Sequence, residues 1–225
     1  MALVKFKASP LPLPPAIYSR TYIHQLIRVI ELYFSQLDSQ TPLQAEYYIG
    51  RGDKLTFPHI AASDSTDQIA TGNNVPTVVK WNTLDSAFGW TLNAPGSATA
   101  TYAGVYKITF SLQFENTDNA IHNATVWMKV NNVDVPNSAT IFTVPARKSA
   151  TEFGYVCGYS EITFQVDVND EIELYWATDL AGNPTIPTAG VYMFHEPAWT
   201  TPPKPYARPA VPSAIGSITF MSAVP

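Results

Sequence analysis

From Tyr106 the chain alternates strictly. Tyr106, Ile108, Phe110, Leu112 and Phe114 are apolar, and Lys107, Thr109, Ser111, Gln113 and Glu115 stand between them. Successive side chains of a strand point to opposite faces, so this pattern predicts one face in a core and one in water. It returns downstream: Ile162, Phe164, Val166 and Val168 alternate with Glu161, Thr163, Gln165 and Asp167, and Ile172, Leu174 and Trp176 follow. The predicted strands are Val75–Trp81, Gly89–Leu92, Thr99–Tyr102 running on through Phe114, Ala124–Val130, Thr140–Val144, Phe153–Tyr159, Glu161–Val168, Glu171–Ala177 and Ile215–Ser222. Turn signals punctuate them. Gly72-Asn73-Asn74 opens the series, Asn131-Asn132 follows Val130, and Asn169-Asp170 reads as the hairpin turn between its neighbours. Strands and turns at this spacing predict a mainly β chain folded as a sandwich or jelly roll over residues 75–225.

The period changes upstream. Over residues 19–38, Ile23, Ile27, Ile30, Phe34 and Leu37 follow a 4-3-4-3 spacing, the seam of a coiled coil. Tyr22, Leu26, Val29 and Tyr33 widen the apolar stripe, and Ser19 or Thr21 can cap the start. Isoleucine at both seam positions favours three strands, so the helix is read as a trimerisation or docking element. Residues 1–18 carry Pro10, Pro12, Pro14 and Pro15 and predict an extended polyproline arm. Leu3, Val4, Phe6, Leu11 and Leu13 suit that arm to docking on a neighbour. Residues 39–74 read as a connector with short strands near Glu46–Ile49 and Lys54–Phe57. The prolines between residues 197 and 213 rule out a central strand and predict an extended crossing before the last strand.

Only 14% of the 225 residues are charged, against 46% apolar. Soluble domains average about 25% charged, so partner subunits are expected to cover part of this surface. The net charge of −5, with no basic stripe, argues against a nucleic-acid partner. The N-terminus lacks a signal-peptide pattern, so secretion by the standard route is not expected. No stretch approaches the ~18 apolar residues of a membrane span. The lone Cys157 alternates with Phe153, Tyr155 and Tyr159 and reads as a small buried residue with no disulfide.

The order of motifs resembles a known family. Tyr-Ala-Gly-Val-Tyr-Lys-Ile-Thr-Phe-Ser-Leu at 102–112 resembles the Gly-x-Tyr-x-Phe strand of the complement globular-head/tumour-necrosis-factor-like jelly roll. Val-Trp-Met-Lys-Val-Asn at 126–131 resembles the strand that follows it, and Asn-Asp-Glu-Ile-Glu-Leu at 169–174 the Gly-Asp-x-Val-x-Leu hairpin. More narrowly, residues 127–140, 208–219 and the run Tyr22 to Asp38 resemble segments of tailed-bacteriophage structural proteins. Asn169 departs from the hairpin glycine, and there is no collagen-like stalk repeat. The resemblance implies a homotrimer packed through an aromatic-rich sheet face. It also implies a place in the virion as a head fibre, capsid decoration protein or part of a tail fibre, with residues 1–38 bound to capsid or tail proteins.

Catalytic signatures are missing: there is no Gly-x-Ser-x-Gly elbow, phosphate loop or dinucleotide fingerprint. A non-enzymatic protein without cofactor is therefore expected. His24, His59, His122 and His195 lack metal-ligand spacing. Glu171 and Glu173 share one strand face and read as solvated, and Asp167, Asn169 and Asp170 read as turn chemistry rather than a calcium loop. Arg51-Gly52-Asp53 and the acceptor-like Asn123-Ala124-Thr125 carry little weight without a secretion signal. Trp127 and Tyr175 fall on the strand faces opposite their apolar neighbours, and Trp199 lies in the proline-rich crossing. These rings are expected either to fill a subunit interface or to stack on a host surface glycan.

Overall fold

The computed structural model describes residues 19–38, 57–184, 189–200 and 206–223, with residues 33–38 as helix backbone. The proline-rich arm, the strand expected at Glu46–Ile49, Arg51-Gly52-Asp53 and the Phe34 and Leu37 side chains lie outside the described residues. The helix and the sandwich belong to separate compact units, the second running from Thr56 to Val224.

Helix α1 spans Arg20–Asp38. Of the two candidate caps, Ser19 takes the role: its hydroxyl accepts from the Tyr22 N–H at 3.4 Å. Among the described residues thirteen strands follow. They begin with β1 His59–Asp64, β2 Thr77–Val78, β3 Thr83–Phe88, β4 Trp90–Asn93, β5 Ser97–Ala100, β6 Gly104–Asn116 and β7 His122–Val130. They end with β8 Val133–Asp134, β9 Thr140–Val144, β10 Gly154–Val166, β11 Glu171–Thr178, β12 Val191–Met193 and β13 Ala214–Ser222.

Two antiparallel sheets form the sandwich. One runs β10-β6-β13-β1-β3, with β12 also on β6; the other runs β4-β5-β11-β7-β8, with β2 on β11 and β9 on β7. The chain crosses between sheets at β1/β2, β2/β3, β3/β4, β5/β6, β6/β7, β9/β10, β10/β11 and β11/β12, so strands adjacent in sequence are mostly not paired. That interleaving makes the sandwich a jelly roll. Strand β6 is its spine. It pairs with β10 over its whole length, and on its other flank with β13 and then β12.

The alternating residues of β6 go where their pattern sends them. Tyr106, Ile108, Phe110, Leu112 and Phe114 are all buried, facing Val126 and Met128 of β7 and Leu174 and Trp176 of β11 in one core. Fully burying such a side chain contributes about 1.5–3 kcal/mol. Rings interlock across the layers: Phe114 lies 5.8 Å from Trp176, and Tyr106 meets Trp90 edge-on at 5.1 Å. The Tyr106 hydroxyl donates to the Tyr102 carbonyl at 2.9 Å, so its polar tip is satisfied inside the core.

Several sequence expectations change. Phe153–Tyr159 and Glu161–Val168 are not two strands but the single strand β10, paired without a break from Gly154 to Val166. Along one unbroken strand only one parity can face inward. Gly154, Val156, Gly158, Ile162, Phe164 and Val166 take it, which sends Tyr155, Cys157 and Tyr159 outward. Cys157 is therefore exposed, not buried. Inward glycines look empty in a pattern, but here larger neighbours fill their space. A Cβ on Gly158 would lie 3.0 Å from the Phe142 ring and 3.1 Å from Phe114.

Val168 lies beyond the strand and is exposed. The Asn169-Asp170 turn exists, with Asn169 at φ 69°, yet it joins β10 in one sheet to β11 in the other and closes no hairpin. Asn131-Asn132 does close one, both residues having positive φ, between β7 and β8. The long strand expected from Thr99 breaks at 101–103, and the one expected from Val75 shortens to β2. Strand β1, inside the stretch read as connector, pairs with β13 and β3 and so belongs to the sandwich.

Candidate functional site

The outward face of the β10-β6-β13 sheet divides into two chemistries. Toward the Gly154 end of β10 it is apolar and aromatic: Tyr155 is 53% exposed, Tyr159 58% and Ile215 48%. Register places Tyr159, Ser111, Ile215 and Ser63 in one lateral row across β10, β6, β13 and β1. Cys157 sits next to this row, its Sγ 3.1 Å from Ser111 Oγ. Toward the other end the face turns polar, with Lys107 Nζ 3.6 Å from Glu161 Oε2. Alternation along β6 marks this whole side as wet. Its aromatic half is hidden in the sequence, where Tyr155 and Tyr159 share the parity of Phe153 and pass for core residues.

The other sheet carries Trp127 and Tyr175 on its outer face. The two are directly opposite in the β7–β11 register, with ring centroids 6.0 Å apart and planes inclined by 32°. Each is half-buried rather than exposed, because each covers the other. Trp127 Nε1–H donates to Asp134 Oδ1 at 2.8 Å, which fixes the indole, and Lys129 Nζ stands 4.4 Å from the Tyr175 ring centre. Lys129 also pairs with Asp134 at 3.7 Å. Exposed Ile141 of β9, paired with Thr125 of β7, extends the apolar strip. Next to it, burial and the charge of Glu171 raise the Glu173 carboxyl above its ordinary range, with Lys129 opposing. Glu171 itself accepts from Ser97 Oγ.

Trp199 lies elsewhere. The described residues on either side of 201–205 do not cross the surface singly but pair with each other, through paired backbone bonds between Glu196 and Val211 and between Trp199 and Arg208. The Arg208 guanidinium lies 4.3 Å from the Trp199 ring centre and binds Glu196 Oε2, while Trp199 Nε1–H donates to Glu196 Oε1 at 2.6 Å. The Tyr206 ring packs on it at 5.3 Å. Trp199 is thus held by Glu196, Tyr206 and Arg208, and among the described residues nothing brings it together with Trp127 and Tyr175.

On α1, Ile27 is 47% exposed and Ile30 38%, while Ile23, Leu26 and Val29 are half-buried. The turn after β10 is consumed by its own bonds: Asp170 accepts from the Asp167 N–H and from Asn131 Nδ2, each at 2.7 Å. Among the described residues no three His, Cys, Asp or Glu side chains form a metal-holding group. A cavity between the sheets, lined by residues such as Ile60, Leu92, Ile108 and Leu174, measures ≈ 40 Å³. A cavity that takes benzene is about 150 Å³, so this one does not admit a sugar ring.

No protein-family model matches the chain, and no curated protein matches it.

Proposed function

We propose that the chain is a non-enzymatic structural subunit of a tailed-phage particle: a homotrimeric short fibre or decoration knob. Residues 1–38 attach it to capsid or tail, and the jelly roll projects outward. The observation that carries the reading is the outward face of β10 and β13. A sheet already sealed on its inner side keeps Tyr155, Tyr159 and Ile215 in solvent, and large aromatics clustered on a flat surface are the anchors of protein interfaces. The exposed Ile27 and Ile30 of α1 add a second sticky surface of the kind a coiled-coil seam presents. The motif order that resembles the trimeric globular-head jelly rolls agrees with both.

Light scattering on the purified full chain tests this. A mass three times the 24.7 kDa of one chain is expected. A clean monomer at micromolar concentration overturns the trimer.

A second reading concerns the other sheet. Trp127 and Tyr175 form a shallowly inclined aromatic pair rimmed by Lys129, Glu173 and Asp134, which is the arrangement a pyranose ring needs: an apolar floor with hydrogen-bonding groups at the edge. A knob that also binds host surface glycan would use this patch. A glycan array with no hit from the trimer leaves the structural role alone.

A further inference from the structure

The β6–β7 connection, residues 117–121, is flanked by two ionisable side chains whose surroundings both call for an added proton. The first is Glu115, on the outward side of β6, only 6% exposed. Its Oε1 accepts from the Tyr192 hydroxyl of β12 at 2.5 Å, and the Tyr155 hydroxyl of β10 also reaches its carboxyl. The charged groups facing it are Asp67, from the segment after β1, and Glu196, whose carboxylate is held by Arg208. Among the described residues no ion pair involves Glu115. The two phenol donors favour the carboxylate, but burial and the like charges of Asp67 and Glu196 outweigh them, so the neutral form is favoured.

The second is His122, at the first residue of β7 and largely buried. Its Nε2 is 3.0 Å from Asp118 Oδ2, and its Nδ1 is 3.2 Å from Asp179 Oδ1. The first contact is a hydrogen bond, and the second is close enough for an ion pair. Both ring nitrogens face carboxylates, and a neutral imidazole has one N–H for the two; the imidazolium has both.

The connection links the two. Asn116 Nδ2 donates to the Ala120 and Pro145 carbonyls, and Thr117 exchanges backbone and side-chain bonds with Gly190, which leads directly into β12 and Tyr192.

We infer that this corner is a proton-operated clasp: a proton on Glu115 and a proton on His122 hold β12 and the 117–121 connection against β6, and losing them loosens the corner. The titration directions agree. Burial, with the charges of Asp67 and Glu196, raises the Glu115 carboxyl despite its two phenol donors. Burial alone would lower His122, but Asp118 and Asp179 outweigh it and raise it. Tyr155 is pushed up to about 12 by burial and by Glu115, and Tyr192 is raised further, so both phenols keep their protons at neutral pH. Groups raised in the folded state bind protons more tightly than the unfolded chain does. Their contribution is complete below the ordinary values, about 4.3 for Glu and about 6.5 for His, and is lost as pH rises through the folded values. Asp118, through its bond from His122, and Asp179, through the Asn123 N–H and His122 against the effect of burial, are both lowered. Their contribution is lost only in stronger acid, below the ordinary Asp value of about 3.9.

The test is a thermal-melting series on the full chain between pH 4.5 and 8.5, with Glu115→Gln and His122→Asn alongside. The amide of the first variant needs no proton to stay neutral and still accepts from Tyr192. The wild type is expected to melt at falling temperature as pH rises. Glu115→Gln should gain on it with rising pH, and His122→Asn should be less stable near pH 5.5 and level with it at pH 8.5. Backbone amide exchange of the wild type gives a reading that needs no variant. Segments 114–122 and 190–194 should lose protection at pH 8.5, beyond the intrinsic base effect, while β7 and β11 from residue 124 to 176 do not. A melting temperature that is flat over this range, variant differences that do not change with pH, or uniform exchange across the sandwich would each overturn the clasp.

Discussion

Gly158 of β10 and Phe142 of β9 occupy one volume between them: the ring edge stands 3.0 Å from where a glycine Cβ would be. Strand β10 is therefore inward-facing at a residue that has no side chain to show it. Gly158→Ala adds a methyl to a packed contact and is expected to cost about 1–3 kcal/mol, since Phe114 blocks the ring's retreat. For a chain of this size that is a fall of about 2–4 °C in melting temperature per kcal/mol, read by calorimetry. An unchanged melt would mean that the glycine faces outward after all.

Cys157 provides a probe of the proposed trimer face, because it is the chain's sole cysteine and lies between Tyr155 and Tyr159. In the assembled wild type it should react slowly with a thiol reagent. The pair Tyr159→Asp and Ile215→Asp places charge on exposed positions, so folding should survive while the mass falls to that of one chain and Cys157 becomes fast. Normal assembly of that variant would show that another surface joins the copies.

Ile27 and Ile30 test the helix separately. Ile27→Asp combined with Ile30→Asp is expected to weaken assembly and leave the melting of the sandwich unchanged, since the two belong to different compact units. If light scattering still reports the trimer, α1 is an attachment element and not the one that joins copies.

Trp127 and Tyr175 separate packing from recognition. Trp127→Ala removes a half-buried ring and leaves Asp134 to Lys129 alone, so a modest loss of about 1 kcal/mol is expected from packing. If the patch binds glycan, Trp127→Ala abolishes array signal while Trp199→Ala, outside the β7–β11 patch, preserves it. Equal loss from both variants would argue against a local sugar platform.

Much of the sandwich is legible in the sequence because β6, β7 and β11 obey simple alternation with large side chains on the buried parity. What is not legible has physical causes. Strand β3 is exposed along its length, so it has no inward set to betray it. Strand β1 is built from Ala and Ile, with His and Ser on the other parity, and its hydrophobic signal is weak. In β10 the apolar residues change parity between Tyr159 and Ile162. A parity change without a turn signal means that one set must face outward, and that arithmetic is available from the sequence. The outward placement of Trp127 and Tyr175 follows from alternation, but their mutual cover does not, because it depends on the β7–β11 register. Glu115 and His122 give no signal. Tyr192 and Asp179, which complete their environments, lie more than 50 residues away along the chain; Asp118, four residues before His122, is the only nearby contributor among the described residues.

Strand β6 is laced to β10 along its whole length and, on its other flank, to β13 from Val105 to Leu112 and to β12 from Phe114 to Asn116, and so has no loose selvedge from which to unravel. The brief pairings of β2 and β8 should give way first, and the last amides to surrender their hydrogens should be those of Ile108, Phe110 and Leu112.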